Sequence, residues 1–140
     1  MEKEQTLAII KPDGIEHTEE IIDILYKNGL TIVDYDLRLL DEEIVADHYS
    51  HLIDKPFFPE IVSYMTSAPV ALMILEGENA VSTLRKVMGP TDSTQAAPDT
   101  IRGKFGTDKS TNAIHGSDSV ENAQIEIKRF SGGRERKRNN

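Results

Sequence analysis

The longest uninterrupted apolar run in this chain is Val70–Leu75, and its six residues are few. A helix needs about 20 such residues to cross a bilayer. A continuous apolar run this short reads instead as a strand buried on both faces, hence central in a sheet. A chain built around one such strand must supply partners that pair with it and amphipathic helices that cover it.

The flanking segments supply both. Thr6–Lys11 is a second apolar strand, ended by the turn Pro12-Asp13-Gly14. Val33, Tyr35, Leu37 and Leu39 alternate with Asp34, Asp36, Arg38 and Leu40, the period of a strand with one buried face. Ala113–His115 is a last short strand. Within Glu19–Asn28, Ile21, Ile22, Leu25 and Tyr26 share one helical face, and Gly29 stops the helix. Asp41–Leu52 and Phe57–Ser67 read as helices divided by Asp54-Lys55-Pro56. Asn79 is expected to cap a helix that buries Ala80, Val81, Leu84, Val87 and Met88. Ser119 is expected to cap a last helix through Phe130, with Val120, Ala123 and Ile127 inward. Gly89–Thr111 reads as a long polar loop, a length that marks either function or a hidden element. The order predicts an α/β sandwich of ferredoxin-like type, a four-stranded antiparallel sheet covered by helices. The expected organisation is one domain over 1–130 and a basic, disordered tail over 131–140.

Composition removes several classes of function. The absence of cysteine excludes disulfides, thiolate zinc sites and thiol nucleophiles. Met1–Gln5 lacks the succession of a signal peptide, so a soluble cytoplasmic protein without membrane contact is expected. The net charge is −8, and since residues 131–140 carry +3, residues 1–130 carry −11. An acidic body argues against nucleic acid as a partner. It leaves a nucleotide open, because screening over about 8 Å lets a few nearby cations decide phosphate binding.

The chemistry concentrates in Asn112-Ala113-Ile114-His115-Gly116-Ser117-Asp118-Ser119. One imidazole closes an apolar step just before helix-starting residues. A neutral imidazole is a good nucleophile near pH 7, and backbone N–H groups at a helix start can hold an anion. Other residues have plainer readings. His48 and His51 have a metal-ligand spacing but no third ligand, and read as a helix surface. His17 reads as an exposed loop residue, Asp118 as a helix-terminus charge, and of Phe57 and Phe58 one is expected in the core. No G-x-x-x-x-G-K-[ST] is present, and no G-x-G-x-x-G follows the first strand.

The histidine block joins further blocks: Lys11-Pro12-Asp13-Gly14, His48-Tyr49, Pro56-Phe57-Phe58, Arg85 before Gly89-Pro90-Thr91, and Thr100-Ile101-Arg102-Gly103. In order and spacing, from about Thr6 to Phe130, the chain resembles the nucleoside diphosphate kinases. The resemblance implies transfer of the terminal phosphate of a nucleoside triphosphate to a nucleoside diphosphate, by a ping-pong mechanism through a phosphohistidine at His115, with Mg²⁺ held by the nucleotide and no direct protein ligand. It implies that Lys11, Arg85, Thr91 and Arg102 hold phosphates, that Lys11 and Asn112 reach the sugar, that Phe57 stacks on the base, and that Tyr49 packs beside His115. It implies that Glu126, supported by Ser117, accepts a hydrogen bond from the imidazole. It further implies a homo-oligomer, a hexamer favoured over a tetramer. A catalytically silent member acting as a binding module is the alternative. Three segments depart from the family pattern: the stretch between Gly14 and the first helix is about two residues shorter than is common, Thr91-Asp92-Ser93 lacks a proline common after this threonine, and Glu126–Phe130 ends on basic Lys128 and Arg129 rather than an apolar finish.

Overall fold

The computed structural model describes residues 3–108 and 111–139, with side chains described as far as Phe130. Its strands are β1 (Glu4–Ile10), β2 (Thr31–Arg38), β3 (Val70–Gly77) and β4 (Ile114–Gly116). Its helices are α1 (Thr18–Lys27), α2 (Glu42–His48), α3 (Phe58–Met65), α4 (Ala80–Met88), α5 (Ile101–Phe105) and α6 (Val120–Asn139). Short 3-10 turns cover Pro12–His17, Ser50–Leu52 and Ser93–Gln95.

The sheet order is β2-β3-β1-β4, and every neighbouring pair is antiparallel. The apolar run of β3 is central, as its composition requires, pairing Leu7 with Ile74 on one side and Tyr35 with Met73 on the other. Because side chains alternate along a strand, the sheet feeds two cores. Ala8, Ile10, Met73 and Leu75 pack with Ile21 and Leu25 of α1 and Leu84 and Met88 of α4. Leu7, Ile9 and Leu72 pack on the opposite face with Val45 of α2, Met65 of α3 and Phe130 of α6. This is the ferredoxin-like sandwich expected from the element order.

Several local expectations are corrected. Val33, Tyr35, Leu37 and Leu39 do not line a core; they are 46%, 43%, 55% and 57% exposed. β2 is an edge strand, and a register shift between Ile32 and Asp34 phases Asp34, Asp36 and Arg38 to the better-covered side. Arg38 donates there to the Phe130 carbonyl at 3.1 Å. Tyr26 is also exposed, and Ile24 packs on the core in its stead. Asn79 stands at the start of α4 in the left-handed region (φ 51°), so its side chain makes no cap. Glu4 of β1 does that work, accepting from the Val81 N–H at 2.8 Å. Ser119 caps α6 through the Asn122 N–H, but Val120 points outward. The long loop hides α5. α6 runs past the expected end at Phe130; the expectation of a disordered tail falls on 131–140, whose side chains lie outside the described residues.

Candidate functional site

Three backbone devices converge on β4. First, the Lys11-Pro12-Asp13-Gly14 turn docks on the chain leading into β4. Asp13 accepts from the Ala113 N–H at 3.0 Å and from the Tyr64 hydroxyl, and the Lys11 N–H donates to the Ala113 carbonyl at 2.8 Å. A Cβ on Gly14 would lie 2.5 Å from that carbonyl, so only glycine allows the approach. Ala113 is held at φ 73°, a conformation an L side chain rarely adopts, which turns Asn112 toward Lys11. The result is a buried hydrogen bond of 2.8 Å from Lys11 Nζ to Asn112 Oδ1, while Asn112 Nδ2 donates to the Thr91 carbonyl at 3.0 Å.

Second, Thr100-Ile101-Arg102-Gly103 is the start of α5. Thr100 caps it by accepting from the Gly103 N–H at 3.0 Å, and Ile101 is fully buried as the anchor. A Cβ on Gly103 would fall 1.9 Å from the Ala97 carbonyl. This fixes Arg102, whose two terminal nitrogens donate to the carbonyls of Gly89 (3.0 Å) and Ile114 (2.8 Å). Its buried Nε has no protein partner. Ser93, at the missing proline, donates its N–H to the Asp108 carbonyl at 3.3 Å, a bond proline cannot make.

Third, Gly116 lets β4 lie against α4, since a Cβ there would meet Leu84 and Met88 at 2.8 Å. Arg85 of the same helix lines the resulting pocket.

That pocket has a volume of about 740 Å³, and its wall includes Lys11, Tyr49, Phe57, Arg85, Thr91, Arg102, Asn112 and His115. Phe57 is half exposed at the rim, beside Leu52, Glu60 and Ile61. The other two residues expected at the site, Glu126 and Ser117, stand behind the histidine. Nε2 of His115 lies 2.9 Å from Oε1 of Glu126, and Ser117 donates to the same oxygen at 2.8 Å.

The electrostatics follow from enclosing like charges. Burial lowers the Lys11 ammonium to about 8, helped by the nearby Arg102 and opposed by Asp13 and Asp108. Burial, then repulsion from Arg85, takes Arg102 to about 10. Burial also pushes the Tyr49 hydroxyl up to about 12. For Glu126 burial alone would raise the carboxyl, but the hydrogen bonds and charge of His115, then Ser117, hold it below the ordinary range. A poor place for uncompensated cations is a good place for an anion.

One expectation fails here. His48 is not on a helix surface; it is buried, edge-on to His115 with ring centroids 4.6 Å apart, while His51 is exposed. The signal was present, since Ile44 and His48 are four residues apart on a helix whose cap, Asp41, accepts from the Ile44 N–H. Ring nitrogens of His48 and His115 and a Glu126 oxygen lie within 4.8 Å of one another. Arg129 brings a guanidinium to 2.9 Å from His48 Nδ1, so that nitrogen is engaged by a cation and the group is a poor cation cage. Asp13 and Tyr64 were likewise not singled out, because their work is visible only once the turn docks. His17 is half-buried and stacks on Phe105 at 4.5 Å rather than standing in a loop.

The order of the blocks along the chain and the pocket they build match one known family. A family model for nucleoside diphosphate kinase matches residues 4–135. The chain belongs to the nucleoside diphosphate kinase family. A nucleoside diphosphate kinase of Thermobifida fusca is 44% identical over 129 residues, covering 91% of this chain and 96% of that protein. One from Chlamydia abortus is 47% identical over 129 residues, covering 91% and 92%. Among solved structures, the Aquifex aeolicus nucleoside diphosphate kinase superposes with a TM-score of 0.87 at 42% identity, covering 92% of this chain and 95% of that one. A halophilic nucleoside diphosphate kinase from Halobacterium salinarum, in complex with CDP, gives 0.88 at 41% identity, covering 92% and 88%. Members of the family are enzymes, and the family mechanism is phosphoryl transfer by way of a phosphohistidine. No helix among the described residues is long and apolar enough to cross a membrane.

Proposed function

We propose that this nucleoside diphosphate kinase family member moves the terminal phosphate of a nucleoside triphosphate to a nucleoside diphosphate, with His115 as the transient carrier. The single observation that carries the reading is the 2.9 Å contact between His115 Nε2 and Glu126, set at the wall of a pocket that also holds Lys11, Arg85 and Arg102. An ionised carboxylate only accepts, so the proton sits on Nε2 and Nδ1 keeps the lone pair. Nδ1 attacks the terminal phosphorus, the bond to the bridging oxygen breaks, and the diphosphate leaves. The second nucleotide reverses the step in the same pocket, as a covalent relay requires.

Lys11, Arg85 and Arg102 offset the negative charge that spreads over the transferred group, the largest need in this chemistry. Thr91 and Asn112 complete the phosphate and sugar contacts, Phe57 offers its face to the base, and Tyr49 braces Lys11 and His115. Stacking distinguishes bases weakly, so several nucleotides are accepted. Among the described residues lining the pocket the only carboxylate is the exposed Glu60. Mg²⁺ therefore fits as a companion of the nucleotide phosphates, where it would neutralise charge on the leaving diphosphate.

The exposed apolar stripe of β2 supports a homo-oligomer, since edge strands with such faces are normally covered, and the family resemblance favours a hexamer over a tetramer. The acidic body speaks against nucleic acid as a partner, and a cytoplasmic setting is proposed from the family resemblance. Initial rates with ATP and a second nucleoside diphosphate test the reading. Parallel double-reciprocal lines are expected; turnover at background level would favour the silent binding module.

A further inference from the structure

The basic residues near the end of the domain, which depart from the family's apolar finish, are not idle. Arg129 of α6 reaches across to α2. Its Nη1 lies 2.9 Å from Nδ1 of His48, and its Nε pairs with Asp47 at 3.1 Å. A guanidinium has donors and no acceptor, so His48 Nδ1 must be the acceptor and the ring carries its proton on Nε2. That ring stands perpendicular to the His115 imidazole at 4.6 Å and is boxed in by Tyr49 at 4.7 Å and Phe130 at 5.4 Å.

We propose that Arg129 is a positioning residue for phosphoryl transfer: fixed to Asp47, it locks His48 as a neutral Nε2–H ring, and that ring holds the edge of His115. The inference rests on the reading of His115 as the phosphoryl carrier and adds a residue that the family pattern does not contain. Its physical logic is competition for Glu126. A His48 ring shifting between tautomers would present now an N–H and now a lone pair beside Glu126, and loosen the His115 tautomer on which attack by Nδ1 depends. The groups facing His48 are Asp47 and Tyr49 from its own segment, Lys11 at the end of β1, His115 on β4, and Glu126 and Arg129 on α6. Burial, then the charges of His115, Arg129 and Lys11, lower the His48 imidazole to about 3 against the pull of Glu126. Asp47 is exposed and Arg129 partly buried, so the pair is a clamp at the edge of the core rather than a part of it.

Nitrogen-15 spectra of the histidine rings in the full chain test the clamp, with His48→Asn used to assign the signal. In the wild type His48 is expected as the Nε2–H tautomer, without titration down to pH 5. In Arg129→Leu the ring, still neutral because it stays buried, is expected to become a mixture of tautomers, and phosphorylation of His115 by ATP to slow about fivefold or more. Arg129→Lys is expected to recover part of the rate, and Asp47→Asn to show a weaker form of the loss; both keep the test open if Arg129→Leu does not fold. An Nδ1–H tautomer in the wild type, or rate–pH profiles of the folded variants that superpose on the wild type, would overturn the clamp. A wild type that takes no phosphate on His115, whatever its tautomers, would overturn the carrier reading instead.

Discussion

Nε2 of His115 and Oε1 of Glu126 lie 2.9 Å apart, and in the proposed mechanism this contact leaves Nδ1 as the nitrogen that reacts. The carboxylate has little freedom of its own, because Ser117 donates to the same oxygen at 2.8 Å. A hydrogen bond to a charged group is worth about 1.5–3 kcal/mol. Ser117→Ala is therefore expected to lower kcat roughly tenfold or more. Glu126→Gln is expected to lose more, since it changes what Nε2 meets. Steady-state kinetics on folded variants check both; a Ser117→Ala enzyme at the wild-type rate would remove Ser117 from the relay.

In the proposed mechanism Lys11 sets the upper pH limit. Its ammonium is lowered to about 8 chiefly by burial, so in the free enzyme it loses its charge as pH rises through that value. Only the charged form attracts phosphate. The profile of kcat/KM, which reports the free enzyme, is expected to fall as pH rises through about 8, the drop approaching about tenfold per unit. A nucleotide binds the charged form, so binding near pH 8–9 should take up a proton. Calorimetry in two buffers of different ionisation enthalpy measures that uptake, and uptake of none would contradict the assignment.

The left-handed Ala113 is held by its neighbours, chiefly by the Asp13 carboxylate on its N–H. Such a conformation costs an L residue about 1–2 kcal/mol, which glycine avoids, while glycine's looser unfolded chain returns about 0.4–1 kcal/mol of the gain. Ala113→Gly is thus expected to leave stability unchanged or raise it by up to about 1.6 kcal/mol. Asp13→Ala is expected to destabilise by about 1–3 kcal/mol, by leaving a buried donor unpaired. Denaturant titration of the two variants checks the contrast, and a clear loss in Ala113→Gly would show that the side chain, not the backbone, matters there.

Val33, Tyr35, Leu37 and Leu39 form an apolar stripe on an edge strand, exposed in the single chain. Placing one charge in it should cost assembly while sparing the two cores. Leu37→Glu is expected to lower the molar mass measured by light scattering, with helix and sheet content retained. An unchanged mass would place the subunit contact elsewhere.

Much of this was legible in the chain, and the exceptions share a cause. β3 and the two-faced core followed from one apolar run and from period-two and helical spacings. The pocket residues followed from blocks whose glycines and caps have local reasons: Gly103 under Ala97, Thr100 at the start of α5, Gly14 against Ala113. What the chain concealed depends on partners far off in sequence. The alternation in β2 correctly gave a strand, but not which face the remaining elements would cover. Asn79 has the right chemistry for a cap, yet its backbone conformation leaves the cap to Glu4. His48 looks like a surface histidine until α6 lays Arg129 on one side of it and β4 lays His115 on the other. Short polar helices such as α5 carry too few residues to show a period.

The most direct measurement is the site of covalent phosphate after a brief incubation with γ-labelled ATP and Mg²⁺, read by peptide mapping under alkaline conditions. A single acid-labile, alkali-stable label on His115, discharged by any nucleoside diphosphate and lost in His115→Ala, is the predicted result. Label on a hydroxyl, or label that persists in His115→Ala, would contradict the account.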